Sequence, residues 1–240
     1  MRAGVMSPGW LAVATEARAA AHDQAAPERY EVGPSGRWKS EDFAREQIHH
    51  LVNQVFRPGL ENATRQIVFS AVDRETEIGS ICVLVGEVLA AETRSEVAVV
   101  GELSDMRFGA LYRAASEEWP KSGGSLRKTA VQRGRNLWLL PAPEAVGMDR
   151  SAVSEHAFLE EVRREFEFSV LQGPAAGVSN GAIVMSQSAD GIILVLSAQH
   201  TRRAAALKVK RALGEAHVRL LGAVLKDREF PIPERVYRRL

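Results

Sequence analysis

Between residues 66 and 225, short runs that are apolar throughout alternate with helical stretches, and this constrains the fold more than any other feature. Gln66-Ile67-Val68-Phe69-Ser70 is the first run, followed after a polar loop by a helical stretch from Ser80 to Thr93. Val97–Val100, Leu137–Leu140 (stopped by Pro141), Phe168–Leu171, Ile192–Leu196 and Val218–Leu225 are the later strands. Glu155–Phe166, residues 182–188 and Thr201–Gly214 read as helices between them. A strand with no polar side needs cover on both faces, and a parallel sheet between two helical layers provides it. The expected fold is therefore α/β, three layers (α/β/α) around a mostly parallel sheet. Ligands of such sheets bind outside the carboxyl ends of the strands. The loops after the first, second and fourth strands are the places to look for chemistry.

Ahead of this alternation, residues 1–39 are rich in alanine, glycine and proline and lack sustained periodicity, which predicts a flexible arm. Ser40 to Phe56 reads as a helix, with Ser40 as N-cap and a stripe of Phe43, Ile48, Leu51, Val52 and Val55. One domain is expected over 40–240. The stretch from Arg113 to Arg135 is polar and glycine-containing, and reads as irregular.

Composition narrows the function classes. A net charge of +1 over 240 residues lacks the basic footprint of sequence-independent nucleic-acid binding. A single cysteine excludes an internal disulfide or a thiolate metal cluster. No run approaches the ~18 apolar residues of a membrane span, and the first residues do not have the form of a secretory signal. The expectation is a cytoplasmic protein. The 31 basic residues comprise 25 arginines and only six lysines, and the 30 acids include only seven aspartates. No lysine lies between Ser40 and Pro120.

That scarcity bears on the loops. The first strand leads into Ala71-Val72-Asp73-Arg74-Glu75-Thr76-Glu77-Ile78-Gly79-Ser80 and then a helix. A phosphate-binding loop here needs several glycines, a lysine for the β- and γ-phosphates and a Ser/Thr for magnesium. This loop has one glycine, no lysine and three acids. The helix start still favours an anion, but Glu75 and Glu77 are placed to satisfy that dipole themselves. The plain reading is a solvated acidic connector. The second strand runs into Gly101-Glu102-Leu103 and the fourth into Gln172-Gly173-Pro174. A nucleotide hydrolase would place aspartates at such strand ends, and only Glu102 and Asp105 remain as weak acidic candidates.

The other candidates carry less. His49 and His50 are adjacent, so on a helix they point ~100° apart, and the other histidines share no ligand spacing, so no metal site is expected. Cys82 reads as a packed, inert thiol. The small-residue loop from Gly173 to Gly181 is either simply tight or a ligand site at the sheet edge. Arg202-Arg203, Lys208–Arg211 and Arg235–Arg239 read as solvated basic faces.

Several segments together resemble the cytoplasmic domain of the bacterial tyrosine kinases (BY-kinases) of capsule and exopolysaccharide biosynthesis. That family has the deviant-Walker P-loop fold, with cell-division and plasmid-partition ATPases as relatives. Phe166 to Ala175 (FEFSVLQGPA) is similar to the family's FDYVIIDSPP, and Val178-Ser179-Asn180-Gly181-Ala182 stands where VSDA is usual. Ala189 to Val195 (ADGIILV) is similar to ADGVLLV, Thr201-Arg202-Arg203 to its helix opening, and Leu221 to Leu225 (LGAVL) to LGVVL. Leu137 to Ala142 (LWLLPA) stands for LYVLPAG. The tail from Phe230 to Leu240 looks like that of the exopolysaccharide-associated members.

The departures fall on the chemistry. Under this resemblance Asp73, Arg74, Glu75, Thr76, Glu77, Ile78, Gly79 and Ser80 replace the PGEGKST loop, and its lysine becomes Glu77 or Ile78. The aspartates after the second strand become Gly101 and Leu103, and that of the fourth strand becomes Gln172. Glu41 to Gln47 keeps the glutamate of the ring-assembly helix but not its arginines, so the usual kinase ring is not expected, although another homo-oligomer is open. Tyr237 alone stands for the C-terminal tyrosine cluster. The resemblance thus implies a catalytically inactive, pseudokinase-like member with no catalytic residues, no nucleotide site and no metal. Its implied role is regulation or scaffolding beside a membrane polysaccharide co-polymerase or an active BY-kinase, at the inner face of the membrane through that partner. The alternative is an active ATP- and magnesium-dependent tyrosine autokinase with a non-standard site. A partition-like positioning ATPase is a third reading.

Overall fold

The computed structural model describes residues 10–14, 40–56, 64–101, 125–128, 130–142 and 152–228. In chain order the strands are β1 (Trp10–Ala14), β2 (Gln66–Ala71), β3 (Val97–Gly101), β4 (Val131–Arg133), β5 (Leu137–Pro141), β6 (Phe168–Gln172), β7 (Gly191–Ser197) and β8 (Leu220–Arg228). The helices are α1 (Ser40–Val55), α2 (Gly79–Thr93), α3 (Ala152–Glu165), α4 (Gly181–Gln187) and α5 (Arg203–Glu215). The strands form one eight-stranded sheet in the order β1-β8-β7-β2-β6-β3-β5-β4. The interior pairings are all parallel, and only the two outermost strands, β1 on β8 and β4 on β5, run antiparallel.

Successive strand residues point to opposite faces, and both faces are covered. Ile67, Phe69, Val97, Val99, Leu139, Val170 and Ile193 pack with α1 and α2 on one side. Val68, Ala98, Val100, Leu140, Leu171, Ile192 and Leu194 pack with α3, α4 and α5 on the other. Every residue of β2 and of β3 is buried, which is why these strands read as unbroken apolar runs. Helix α2 has no polar stripe because its neighbours enclose it; Ile81, Cys82, Val85, Val88 and Leu89 are all buried. Cys82 is fully buried, and burial pushes its thiol pKa far up, so it is not a nucleophile. The three-layer fold expected from the alternation is therefore what forms.

Two stretches differ from expectation. Within the segment read as a flexible arm, Trp10–Ala14 adds an edge strand to β8. Within the stretch read as irregular, Leu126–Lys128 makes a 3-10 turn and Val131–Arg133 pairs with β5. Both strands sit at sheet edges, where pairing is chosen by a distant partner and not by a local period. Among the described residues no helix is long and apolar enough to cross a membrane.

Connectivity places the functional edge. The chain leaves β2 toward β3 on one side, and leaves β7 toward β8 on the other. Since β2 and β7 are neighbours, their outgoing loops diverge and open a crevice at their carboxyl ends.

Candidate functional site at the carboxyl edge

Residues 72–78 connect β2 to α2 at this edge, where a phosphate loop would lie. Asp73 is not a solvated connector residue. Its Oδ1 accepts from the Thr76 amide at 3.0 Å and the Thr76 hydroxyl at 2.5 Å. Its Oδ2 accepts from the Thr201 hydroxyl at 2.5 Å, joining the loop after β2 to the loop after β7. Burial alone would raise the Asp73 pKa. The bonds from Thr201 and Thr76, together with the nearby His200, outweigh it, and the net shift is downward. Asp73 therefore stays ionised and holds the loop closed on itself.

The start of α2 is closed by the chain's own carboxylate. Ile78 occupies the N-cap position and offers no side-chain cap. Glu77 supplies it instead: Oε1 accepts from the Ser80 amide at 2.9 Å and Oε2 from the Ser80 hydroxyl at 2.7 Å. A countercharge arrives from β8, where Lys226 Nζ donates to the Glu77 carbonyl at 2.9 Å and lies 3.5 Å from Oε2. Burial again pushes the Glu77 pKa up, and the bonds from Ser80 and Lys226 pull it below its ordinary value. The loop's acids thus divide by partner and not by exposure: Glu77 and Glu75 both face solvent, but only Glu77 caps the helix start. Glu77→Ala removes this cap and is expected to lower stability by about 1 kcal/mol, read from the midpoint of urea unfolding. An unchanged midpoint would show that the cap contributes nothing.

The strand ends expected to carry acids carry none. Gly101 ends β3 and Gln172 ends the adjacent β6. The Gln172 side chain lies over Gly101, so that a Cβ at 101 would sit 2.3 Å from Gln172 Oε1. Gln172 Oε1 is buried with no hydrogen-bond partner among the described residues. Glycine at 101 and glutamine at 172 are therefore one steric unit: the first makes room for the second. Leu103, Glu102 and Asp105 lie outside the described residues, as do Tyr237 and the Arg235–Arg239 stretch.

The small-residue loop after β6 is anchored by Ser70, whose role the sequence reading missed. The buried Ser70 hydroxyl donates to the Pro174 carbonyl at 2.6 Å and accepts from the Ala176 amide at 3.1 Å. The Ala176 and Gly177 amides donate to the carbonyls of Ala71 and Val72. The loop is thus tied to β2, and it also lines the crevice. The only signal for this was a serine closing an otherwise apolar strand. Of the histidines, His49 pairs with Glu92 at 2.5 Å and His156 with Ser188 at 2.9 Å, whereas His200 lines the crevice. Among the described residues no group of three or more His, Cys, Asp or Glu side chains could hold a metal.

No family model matches the chain, and no curated protein matches it. Solved structures do. The chimerical protein CapA2B2 superposes with a TM-score of 0.59 at 13% identity, over 76% of this chain and 84% of that one. The kinase domain of the Escherichia coli tyrosine kinase ETK gives 0.56 at 14%, over 92% and 91%. The MinD cell division protein of Aquifex aeolicus gives 0.51 at 17%, over 73% and 72%. At such identities the likeness is one of fold: this chain has the architecture of the P-loop ATPases of the bacterial tyrosine-kinase and MinD type.

Proposed function

We propose that this protein is a catalytically inactive relative of the BY-kinases, acting as a regulatory or scaffold subunit in exopolysaccharide or capsule biosynthesis and export. The observation that carries the reading is Glu77. At the helix start, where the phosphates of a nucleotide would be received, a carboxylate already accepts the Ser80 amide and hydroxyl. Its charge repels a triphosphate, and its countercharge Lys226 is committed to it.

The rest of the site supports the same conclusion. Phosphoryl transfer depends on positioning and on stabilising charge. Loss of one such group commonly costs ~2.7–4 kcal/mol of transition-state stabilisation. The loop 72–80 contains no lysine, and Gly101 and Gln172 offer no carboxylate for magnesium. The residues present do not fit a magnesium–nucleotide complex. A chain with this architecture and this site works by contact, beside a membrane polysaccharide co-polymerase or an active kinase of the family, and reaches the membrane through that partner.

Calorimetric titration with Mg-ATP tests the reading. The expected result is no saturable heat, meaning a Kd weaker than about 1 mM. Micromolar binding, accompanied by phosphate transfer to Tyr237, would establish the autokinase reading instead.

A further inference from the structure

We propose that the crevice between the loops after β2, β6 and β7 binds a small organic anion, an apolar body carrying a phosphate or carboxylate group. The crevice is a cavity of about 530 Å³, within the ~300–1,000 Å³ of small-molecule sites. Its lining includes residues 72–75 but none of Glu77–Ser80, so it is separate from the closed start of α2.

Two features define the ligand. The floor is apolar: Val72, Ile183 and Val209 line it and are at most 9% exposed. At its mouth stands Val178, 45% exposed and so one of two large apolar side chains presented to solvent among the described residues. The rim is cationic. Arg74, Arg202 and Lys208 line the crevice, are exposed, and make no ion pair among the described residues. Other arginines do find carboxylates: Arg133 pairs with Glu87, Arg163 with Asp190 and Arg164 with Glu161. Two carboxylates also reach the crevice, Asp73 and Glu75. Both oxygens of Asp73 are already occupied by Thr76 and Thr201. Three cations against these two carboxylates leave a surplus of one positive charge above an apolar floor. A body that fills the floor and an anionic group that meets Arg202 and Lys208 satisfy both.

The test follows backbone amides of the full-length chain by NMR during titration with phenyl phosphate, benzoate and neutral phenol. At least one of the two anions is expected to shift Gly177, Asn180 and Ala205 saturably, phenol not at all, and the tighter anion identifies the head group. The exposed double variant Arg202→Ala/Lys208→Ala is expected to bind at least ~10-fold more weakly, since each charged contact contributes more than a neutral hydrogen bond. The proposal fails if neither anion shifts these amides, if phenol binds as well as the anions, or if the double variant binds unchanged. Shifts centred on Ser80 and Ile81 would overturn it too, and with it the inactive-loop reading. Silence at every amide overturns the crevice proposal alone.

Discussion

Replacing Asp190 with alanine is expected to destabilise the fold by about 2–4 kcal/mol, from the combined loss of charged hydrogen bonds and a partly buried ion pair. Asp190 stands at the amino edge of the sheet, one residue before β7. Its Oδ2 accepts the amides of Arg65 at 2.7 Å and Gln66 at 2.8 Å, and its own amide donates to the Gln66 carbonyl. Its Oδ1 receives Arg163 Nη2 at 2.9 Å from α3. One carboxylate therefore clamps the entry of β2, the entry of β7 and a helix of the covering layer. Alanine leaves the Arg65 and Gln66 amides without their acceptor and removes the carboxylate partner of Arg163. For a chain of this size, each 1 kcal/mol corresponds to a Tm shift of roughly 2–4 °C. The pH dependence has a definite sign. Burial alone would raise the Asp190 pKa, but the bonds from Gln66, Arg65 and Arg163 lower it overall. The resulting stability is present above the unfolded value of about 3.9 and is lost as the pH falls through the lower folded value. Wild type and variant should thus differ most near neutrality and converge below about pH 4. Equal Tm values at pH 7 would show that the clamp is ornamental.

Gly177→Val is the second large effect, at about 2–4 kcal/mol for steric displacement together with a lost backbone hydrogen bond. Gly177 is exposed, so solvent exposure alone predicts a harmless change. A Cβ there, however, would lie 2.2 Å from the Val72 carbonyl oxygen. That oxygen is backbone and cannot rotate away. The Gly177 amide also donates to it at 3.1 Å. A side chain must therefore push the loop after β6 off the loop after β2, breaking the seam that Ser70 and Ala176 continue. The crevice should deform with it, so the variant should both unfold earlier in urea and lose the anion-induced shifts. Wild-type urea stability would mean that the two loops separate without cost, and the seam would then have no structural role.

The central sheet was legible because its strands are apolar on both faces, a pattern only a doubly covered parallel sheet accommodates. Helices α1, α2, α3, α4 and α5 all fall within a few residues of where periodicity placed them. The edge strands were not legible. Trp10 pairs with Arg228, and five apolar residues in an alanine-rich segment carry no local sign of so distant a partner. The loop was half legible. Sequence placed acids at the start of α2 and excluded a lysine from that stretch. It did not distinguish Glu77, which caps the helix, from Glu75, which does not, nor Asp73, which bridges two loops, from a merely solvated acid.

The amino-acid sequence by itself determined the layered fold and the absence of a lysine and of strand-end aspartates, because periodicity and residue type are local properties. Tertiary structure decided which charge meets which. Lys226, 149 residues along the chain, neutralises Glu77, and Gln172 covers the space that Gly101 leaves. Arg74, Arg202 and Lys208 gather around one apolar crevice. Electrostatic partners are chosen by distance in space, and β-strand order, not chain order, sets that distance.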